Sequence, residues 1–425
     1  MKKKFLALTL IFVLAFSLFM ACKPIDDKKD SETESAPIVD TSIEDSVQEP
    51  EVLCPACGST TETHAQCEYC GEYLCQGDHS ECKPEPHYGL PELEMGYYMK
   101  DADVLDDGEN RVLLYVTNGE QAEEDNVVAT RTATYVEEKG WLYGEESIAL
   151  VGEAGAWDEF IGSAALVKGE FEYGDVEYSW LMAYCATPNA NDTQYEIGLA
   201  VATEIGGTWV KVGDRALIEF DEAVYGAGCV GCYAPSLVNL NGESAIRIYY
   251  TYADIYGHFA QFIDINASDL DALYTDAAKN DVNLMSGTCH VPTNGNLSGG
   301  DAELMFPNGD FAHCNGKVIA VKDYSPTGAL TPSYAQKIEL GYIAEAELYT
   351  AEIGYGWVSY KLWDFADTPD MAYERLYGAC VVTNAYGHVA EEGALEIIYN
   401  VCDLEMDNEY WMFSQHLVTL VYERV

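Results

Sequence analysis

Short apolar runs separated by turn-forming residues make up the middle of the chain. Between residues 161 and 212, such runs occupy residues 161–167, 179–185, 196–201 and 208–212. Gly, Asn, Asp and Pro stand between them, and no apolar pattern of helical length competes with them. Runs of this length with these breaks are typical of β-strands. The segment therefore predicts a four-stranded antiparallel meander.

Similar series of short apolar runs begin near Lys100, Cys232, Gly300 and Gly378. With the opening at Ile161, the spacing is roughly 60 to 80 residues, which suits four-stranded blades with generous loops. A single sheet of this kind has two apolar faces and cannot bury them alone, so the sheets must stack on one another. The economical arrangement is all-β, a five-bladed β-propeller over residues 97–425. A solenoid or a sandwich stays open, because strands alone do not specify closure.

Composition excludes some partners. The chain has 425 residues, enough for one large core and a small module. Lys and Arg number 22 against 72 Asp and Glu, a formal charge of −50. This balance argues against nucleic acid and anionic lipid headgroups, which require positive charge on the protein. It permits cation binding, although the solubility of an exported protein explains it equally well.

The first 53 residues contain targeting signals. Residues 1–21 combine three lysines, a long apolar run and a small residue before Cys22, which predicts a secretory signal. The Ala21-Cys22 junction resembles that of bacterial lipoproteins. The resemblance implies a lipid on Cys22 and anchoring at the extracellular face of the cell membrane, with an ordinary signal peptide as the alternative. Residues 22–53, rich in Asp, Glu, Ser and Pro, predict a disordered acidic tether.

Residues 54–90 form a separate Cys/His module. Two Cys-x2-Cys pairs have the spacing that lets two thiolates chelate one tetrahedral zinc ion. The predicted metal ligands are Cys54, Cys57, His64, Cys67, Cys70, Cys75, His79 and Cys82. The segment is similar to a zinc ribbon, and we expect structural zinc with no open position for catalysis. The alternative is a disulfide knot, because exported cysteines normally pair with one another.

Short motifs in the propeller region carry a family resemblance. They are Asp101-Ala-Asp-Val-Leu in the first blade, Gly207-Thr-Trp in the second and Tyr233-Ala-Pro-Ser-Leu-Val in the third. Together they resemble the five-bladed propeller glycoside hydrolases typified by family 43. The resemblance implies a central funnel in which carboxyl groups from the innermost strands act as general base, orienting group and general acid.

The resemblance also suggests site residues. Asp101 matches the family's opening Asp, and Asp301 and Glu303 occupy an analogous place in blade four, so all three are predicted to be catalytic. Tyr233 and His388 are predicted to contact the substrate. Blade three offers no carboxylate and a clear acid motif is missing, which leaves Glu303, Glu159 or a loop residue as the acid. Each carboxylate has a simpler interpretation as a strand cap or turn residue. No cofactor is predicted for the propeller, with calcium left open.

Two functions from different classes follow. The first is a surface lipoprotein whose propeller cleaves extracellular carbohydrate. The second is a non-catalytic lipoprotein that binds a glycan or a protein, with the zinc module as a structural or partner-binding element. Three convergent carboxylates would favour hydrolysis, and a lone one would favour binding. Cys229 and Cys232 could form a local disulfide or a redox pair, but the propeller cysteines are predicted to be structural or incidental thiols.

Overall fold

The computed structural model divides the chain into two compact units, residues 1–77 and 78–425. All residues that the structure describes belong to the second unit. They are 93–107, 109–117, 126–137, 140–191, 193–254, 257–275, 285–288, 306–324, 337–347, 358–364, 375–389, 392–402 and 414–423. The targeting segment, Cys22, the tether, the Cys/His module, Asp301 and Glu303 lie outside them.

The described chain consists almost entirely of antiparallel strands. Blade one contains β1 (Leu93–Asp106), β2 (Asn110–Thr117), β3 (Val127–Val136), β4 (Gly140–Tyr143) and β5 (Ser147–Val151). Blade two contains β6 (Phe160–Tyr173), β7 (Val176–Thr187), β8 (Glu196–Ala202) and β9 (Val210–Val212). Blade three contains β10 (Gly231–Asn239), β11 (Ala245–Asp254), β12 (Gly257–Asn266) and β13 (Met285–Thr288).

The last two blades follow the same plan. Blade four contains β14 (Asp310–Cys314), β15 (Lys317–Tyr324), β16 (Lys337–Ala344) and β17 (Val358–Asp364), and blade five contains β18 (Arg375–Val381), β19 (Ala394–Cys402) and β20 (Ser414–Glu423). One α-helical turn (Glu222–Tyr225) and 3₁₀ turns (Asp271–Tyr274, Glu345–Glu347) occur between strands. Among the described residues, no helix has the length and apolar character needed to cross a membrane.

The ring closes through β1. The start of this strand pairs with β20 of blade five, and its end pairs with β2 of blade one, so one strand joins the last sheet to the first. Five buried hydrophobic clusters correspond to the interfaces between neighbouring blades, the interface of blades five and one included. A solenoid or a sandwich would lack that last interface. The five-bladed all-β propeller is therefore confirmed.

The predicted strands agree with the observed ones in four blades. The runs of the central meander correspond to β6, β7, β8 and β9, in that order and as one antiparallel sheet. Blade four differs, because the strand that pairs with β15 is β14, Asp310–Cys314, and not the predicted run at residues 300–305. A two-residue turn joins the two strands, with Asn315 and Gly316 at φ 49° and 76°. Asn-Gly suits this left-handed geometry and is a strong hairpin signal.

Candidate functional site

The innermost strands carry backbone irregularities at matching positions. The pairings of β1 with β2, β6 with β7, β10 with β11 and β18 with β19 each shift register at a matching place. These shifts fall between Lys100 and Asp103, Ile161 and Ala164, Tyr233 and Ser236, and Tyr377 and Cys380. In blade four the matching residues are Asn308 and Gly309, directly before β14. Such bulges re-aim side chains and occur often at barrel rims and active sites.

The backbone at these bulges is left-handed in four of the five blades. Asp101, Ala234 and Asn308 each have φ 49°, and Gly378 has φ 54°. Asp, Asn and Gly tolerate this conformation, whereas alanine adopts it at a cost of about 1 kcal/mol. The conformation turns the strand at the point where it reaches the propeller axis. Four left-handed turns and the bulge of blade two thus surround one point.

These turns enclose a small cavity on the axis. Its volume is about 40 Å³, which leaves room for about three water molecules. The wall includes residues from all five blades: Asp101, Ala102, Asp103, Ser163, Ala164, Ala165, Ala234, Pro235, Asn308, Gly309, Asp310, Gly378 and Ala379. Carboxyl groups lie on the side of blades four and one, whereas blades two and three contribute small or apolar side chains. The carboxyl groups are therefore confined to one side of the cavity.

Asp103 and Asp310 each link two blades from within this wall. The Oδ2 of Asp103 accepts a hydrogen bond from the backbone N–H of Leu166 in blade two at 2.6 Å. The Oδ2 of Asp310 accepts one from the N–H of Val381 in blade five at 2.8 Å. Each carboxyl is thus held by the neighbouring blade, so its position depends on how the blades pack.

Burial changes the protonation of both groups. Loss of solvation raises the pKa of Asp103, and the nearby charge of Asp310 raises it further. Burial also raises the pKa of Asp310, although hydrogen bonds from Val381 and Ser236 oppose the rise. Two neighbouring buried carboxyls are costly to ionise together. The pair therefore retains a proton to higher pH than isolated aspartic acids would.

Asp101 has a different environment. The Nζ of Lys100 lies 3.4 Å from its Oδ2, and about a fifth of the side chain, 19%, is exposed. Burial raises the pKa of Asp101 from its ordinary value, while the ammonium of Lys100 opposes the rise by favouring the ionised form. A carboxylate whose pKa moves toward the working pH is a better proton acceptor. The cavity thus combines carboxyl groups in two different settings.

The other end of the axis is closed by residues 383–389, which we call the plug. The plug leaves β18 and makes backbone hydrogen bonds of 2.7 to 3.1 Å to the innermost strands of blades one to four. Its partners are Val104, Asp106, Lys168, Asn239 and His313. They follow the bulges by three to five residues, a distance of roughly 10–16 Å along a strand. The plug and the carboxyl groups therefore lie at opposite ends of the innermost strands.

The predicted site residues are found in different places. Asp101 lies in the cavity wall. The hydroxyl of Tyr233, in the strand before Ala234, lies 2.5 Å from Nδ1 of His258. His388 belongs to the plug, where its Nε2 donates to the carbonyl oxygen of Asn239 at 2.8 Å. Glu159 precedes β6, where its Oε2 accepts from the N–H of Gly155 at 3.0 Å. The structure thus separates His388 from the carboxyl groups, and the roles of all these residues stay predictions.

The sequence interpretation named neither Asp310 nor Asp103 among the predicted site residues. The Asn315-Gly316 turn would have revealed Asp310, because a two-residue hairpin before β15 places the preceding strand at residues 310–314. No comparable feature of the sequence indicates that Asp103 belongs to the site. Its meeting with Asp310 depends on ring closure, and the two residues are far apart in the sequence.

None of the described cysteines is among the residues of the cavity wall. Cys185, Cys229, Cys232, Cys314 and Cys380 are free thiols, so Cys229 and Cys232 do not form a disulfide. Burial and the charges of Asp310 and Asp103 raise the pKa of the Cys380 thiol well above its ordinary value, which leaves it protonated and unreactive. Across the described ranges, no group of three or more His, Cys, Asp or Glu residues has the arrangement of a metal site.

The structure is similar to those of several glycoside hydrolases, although no family model and no curated protein matches the sequence. One is an α-L-arabinofuranosidase from Lactobacillus brevis, with a TM-score of 0.49 and 10% identity over 79% of this chain and 92% of that chain. Another is a family 117 glycoside hydrolase of Zobellia galactanivorans, with a TM-score of 0.48 and 10% identity over 77% and 85%. A third is the catalytic domain of a family 62 α-L-arabinofuranosidase of Coprinopsis cinerea, with a TM-score of 0.46 and 9% identity over 77% and 91%.

Proposed function

We propose that the propeller acts on carbohydrate and that the axial cavity is where a glycosidic bond is cleaved. The observation that supports this most is the convergence of Asp101, Asp103 and Asp310 on one cavity. Hydrolysis of a glycosidic bond needs one ionised carboxyl group and another that holds a proton. Lys100 favours the ionised form of Asp101, whereas the mutual proximity of Asp103 and Asp310 favours a retained proton.

In this proposal Asp101 is the general base. A water molecule in the cavity attacks the anomeric carbon, and its proton passes to Asp101. The proton held by Asp103 and Asp310 passes to the oxygen of the leaving group. A cavity of about 40 Å³ suits the attacking water, and the sugar lies over its mouth. This assignment replaces Glu159 as the acid, because Glu159 is not part of the wall.

A second candidate is glycan binding without cleavage. The small cavity supports it, because a sugar ring cannot enter and would contact the carboxyl groups only from above. Within the described part of the wall there is no Glu, the residue that serves as acid in the family this sequence resembles. In this case Asp101 and Asp310 accept hydrogen bonds from sugar hydroxyls, and each contact contributes about 1–3 kcal/mol of affinity.

A panel of aryl-glycosides and a glycan array separate the two candidates. We expect Asp101→Asn to lower turnover by about 10²- to 10⁴-fold, the usual share of acid–base assistance, with Asp310→Asn also impaired. The matched control is Asp214→Asn, an exposed carboxylate in blade two that is absent from the cavity wall. Binding without turnover by the wild type would support the second candidate. A wild type that neither binds nor cleaves any glycan would reject both.

We also propose that the chain is a lipoprotein anchored through Cys22 at the outer face of a bacterial membrane. The support is the basic start, the apolar run and the Ala21-Cys22 junction. Cys22→Ser should release the protein into the medium. Retention of the variant in the membrane fraction would reject the anchor.

The Cys/His module is proposed to bind zinc. The support is its two Cys-x2-Cys pairs and interspersed histidines. Elemental analysis of the secreted chain should give about one or two zinc ions per molecule, and Cys54→Ser combined with Cys57→Ser should lower that number. A metal-free protein in which these cysteines are all oxidised would establish the disulfide alternative.

A further inference from the structure

We propose that Asp323 positions the part of the axial cavity wall that blades four and five form. Asp323 lies on β15, the second strand of blade four, and is 1% exposed. It is not itself a wall residue, so it acts through the residues that it holds. The inference rests on the proposed function for the ligand of the cavity, but the positioning can be measured without any ligand.

The two carboxylate oxygens of Asp323 hold one residue from each blade. Its Oδ1 accepts a hydrogen bond from the backbone N–H of Gly378 in blade five at 2.8 Å. Its Oδ2 accepts one from Nδ2 of Asn308 in blade four at 2.6 Å. Hydrogen bonds to an ionised group are short and strong. A single buried side chain therefore ties together two blades at the level of the cavity.

Both residues that Asp323 holds are wall residues at the left-handed bulges. Asn308 stands two residues before Asp310, so its position sets where that carboxyl enters the cavity. Gly378 packs against Asp101, because a Cβ on Gly378 would lie 3.0 Å from Oδ1 of that residue. A displacement of either bulge would move a carboxyl group, and about 1 Å of misplacement can lower a rate about 100-fold.

Asp323 also acts on Tyr233, the residue predicted to contact substrate. Burial raises the pKa of Tyr233 well above its ordinary value, and the charge of Asp323 is the next largest cause of the rise. The phenol therefore stays protonated, with its oxygen 2.5 Å from Nδ1 of His258. The same carboxylate thus acts on Tyr233 in blade three as well as on wall residues of blades four and five.

The geometry suggests a pair of variants that changes these contacts selectively. Asp323→Asn keeps an oxygen for the N–H of Gly378 but directs an amide donor at the Nδ2 of Asn308, so donor faces donor. Adding Asn308→Asp places an acceptor opposite that donor again and restores both hydrogen bonds. The matched control is Glu339→Gln in the same blade. Glu339 pairs with the fully buried Lys322 at 3.1 Å, and Nζ of Lys322 lies 5.3 Å from the ring centroid of Phe306. The loss of Glu339 therefore weakens blade four while leaving the hydrogen bonds of Asp323 to Gly378 and Asn308 in place.

The experiment measures amide hydrogen exchange in the full chain by mass spectrometry, over peptides that span residues 306–312 and 375–382. We expect Asp323→Asn to speed exchange by about tenfold in the peptide over residues 306–312, the effect of losing one hydrogen bond. The rise over residues 375–382 should be smaller, because the N–H of Gly378 keeps an acceptor, and the double variant should restore protection. Glu339→Gln should lower the melting temperature and leave both peptides protected. With an active glycan substrate, Asp323→Asn should lower kcat by about 10- to 100-fold and change KM less.

The outcomes distinguish this inference from the proposed function. Unchanged exchange in Asp323→Asn overturns the inference whatever the glycan assays show. Equal loosening of both peptides in Asp323→Asn and Glu339→Gln also overturns it, because the effect is then general to blade four. If exchange responds as expected but the wild type engages no glycan, the positioning role stands and the proposed function fails.

Discussion

The two ends of the innermost strands differ in backbone geometry and in the groups that they bring together. At one end the strands bulge, their backbones are left-handed, and three carboxyl groups crowd a cavity of about 40 Å³. At the other end the plug makes regular backbone hydrogen bonds to four blades. Buried carboxyl groups and an alanine at φ 49° both lower the stability of the folded protein. The backbone hydrogen bonds of the plug raise it. The comparison supports the proposal that the carboxyl end takes a ligand, whereas the plug end holds the blades together.

The strongest test of this contrast is Gly387→Ala in the plug. Gly387 has φ 77°, and a Cβ there would lie 2.4 Å from the carbonyl oxygen of Leu237. The substitution strains the backbone and displaces the plug, so we expect a loss of about 3 kcal/mol or more in the free energy of unfolding. Urea denaturation measures it. Gly393→Ala, where nothing lies within 4 Å, is the control and should change stability by less than about 0.5 kcal/mol.

His388→Ala should have a smaller effect at the same end. The variant loses the hydrogen bond to Asn239 and an edge contact with His313, whose ring centroid lies 5.8 Å away. We expect a loss of about 1–2 kcal/mol in stability with KM unchanged. A raised KM at normal stability would instead support the substrate contact predicted from the sequence.

At the carboxyl end, Asp103→Asn should alter the pH dependence of stability. Because the folded-state pKa of Asp103 is raised above its unfolded value, the folded protein holds a proton that the unfolded chain releases. This group therefore destabilises the fold increasingly as the pH rises from about 4, the ordinary carboxyl pKa, toward the raised value. Melting temperatures between about pH 5 and pH 8 should fall less steeply in the variant. An identical slope in both proteins would contradict the raised pKa.

The smallest effect is expected for Ala234→Gly. Glycine removes the cost of the left-handed conformation at φ 49°, about 1 kcal/mol, but adds about 0.5–1 kcal/mol of backbone entropy to the unfolded chain. Stability should change by less than about 0.5 kcal/mol. A loss of more than about 1 kcal/mol would show that the alanine methyl packs usefully in the cavity wall.

Strand alternation and turn residues were sufficient to predict most of the fold. The runs at residues 161–167 and 179–185 became β6 and β7, because burying an apolar face is decided by residues within one strand. The strand predicted at residues 300–305 differs from the observed β14, Asp310–Cys314, because the Asn315-Gly316 turn was not used. Asp310 was therefore not among the predicted site residues, and the roles of Asp301 and Glu303 stay predictions.

The sequence by itself determined that strands form, that similar sheets repeat and that Asp101 lies on an innermost strand. Only the tertiary structure decided that Asp103 and Asp310 meet, that Asp323 ties Gly378 to Asn308, and that His388 lies in the plug. These relationships join residues distant in the chain, and they exist only once five blades close into a ring. The protonation states of these carboxyl groups are also decided by the tertiary structure. The pKa of a carboxyl depends on burial and neighbouring charge, and both arise from packing.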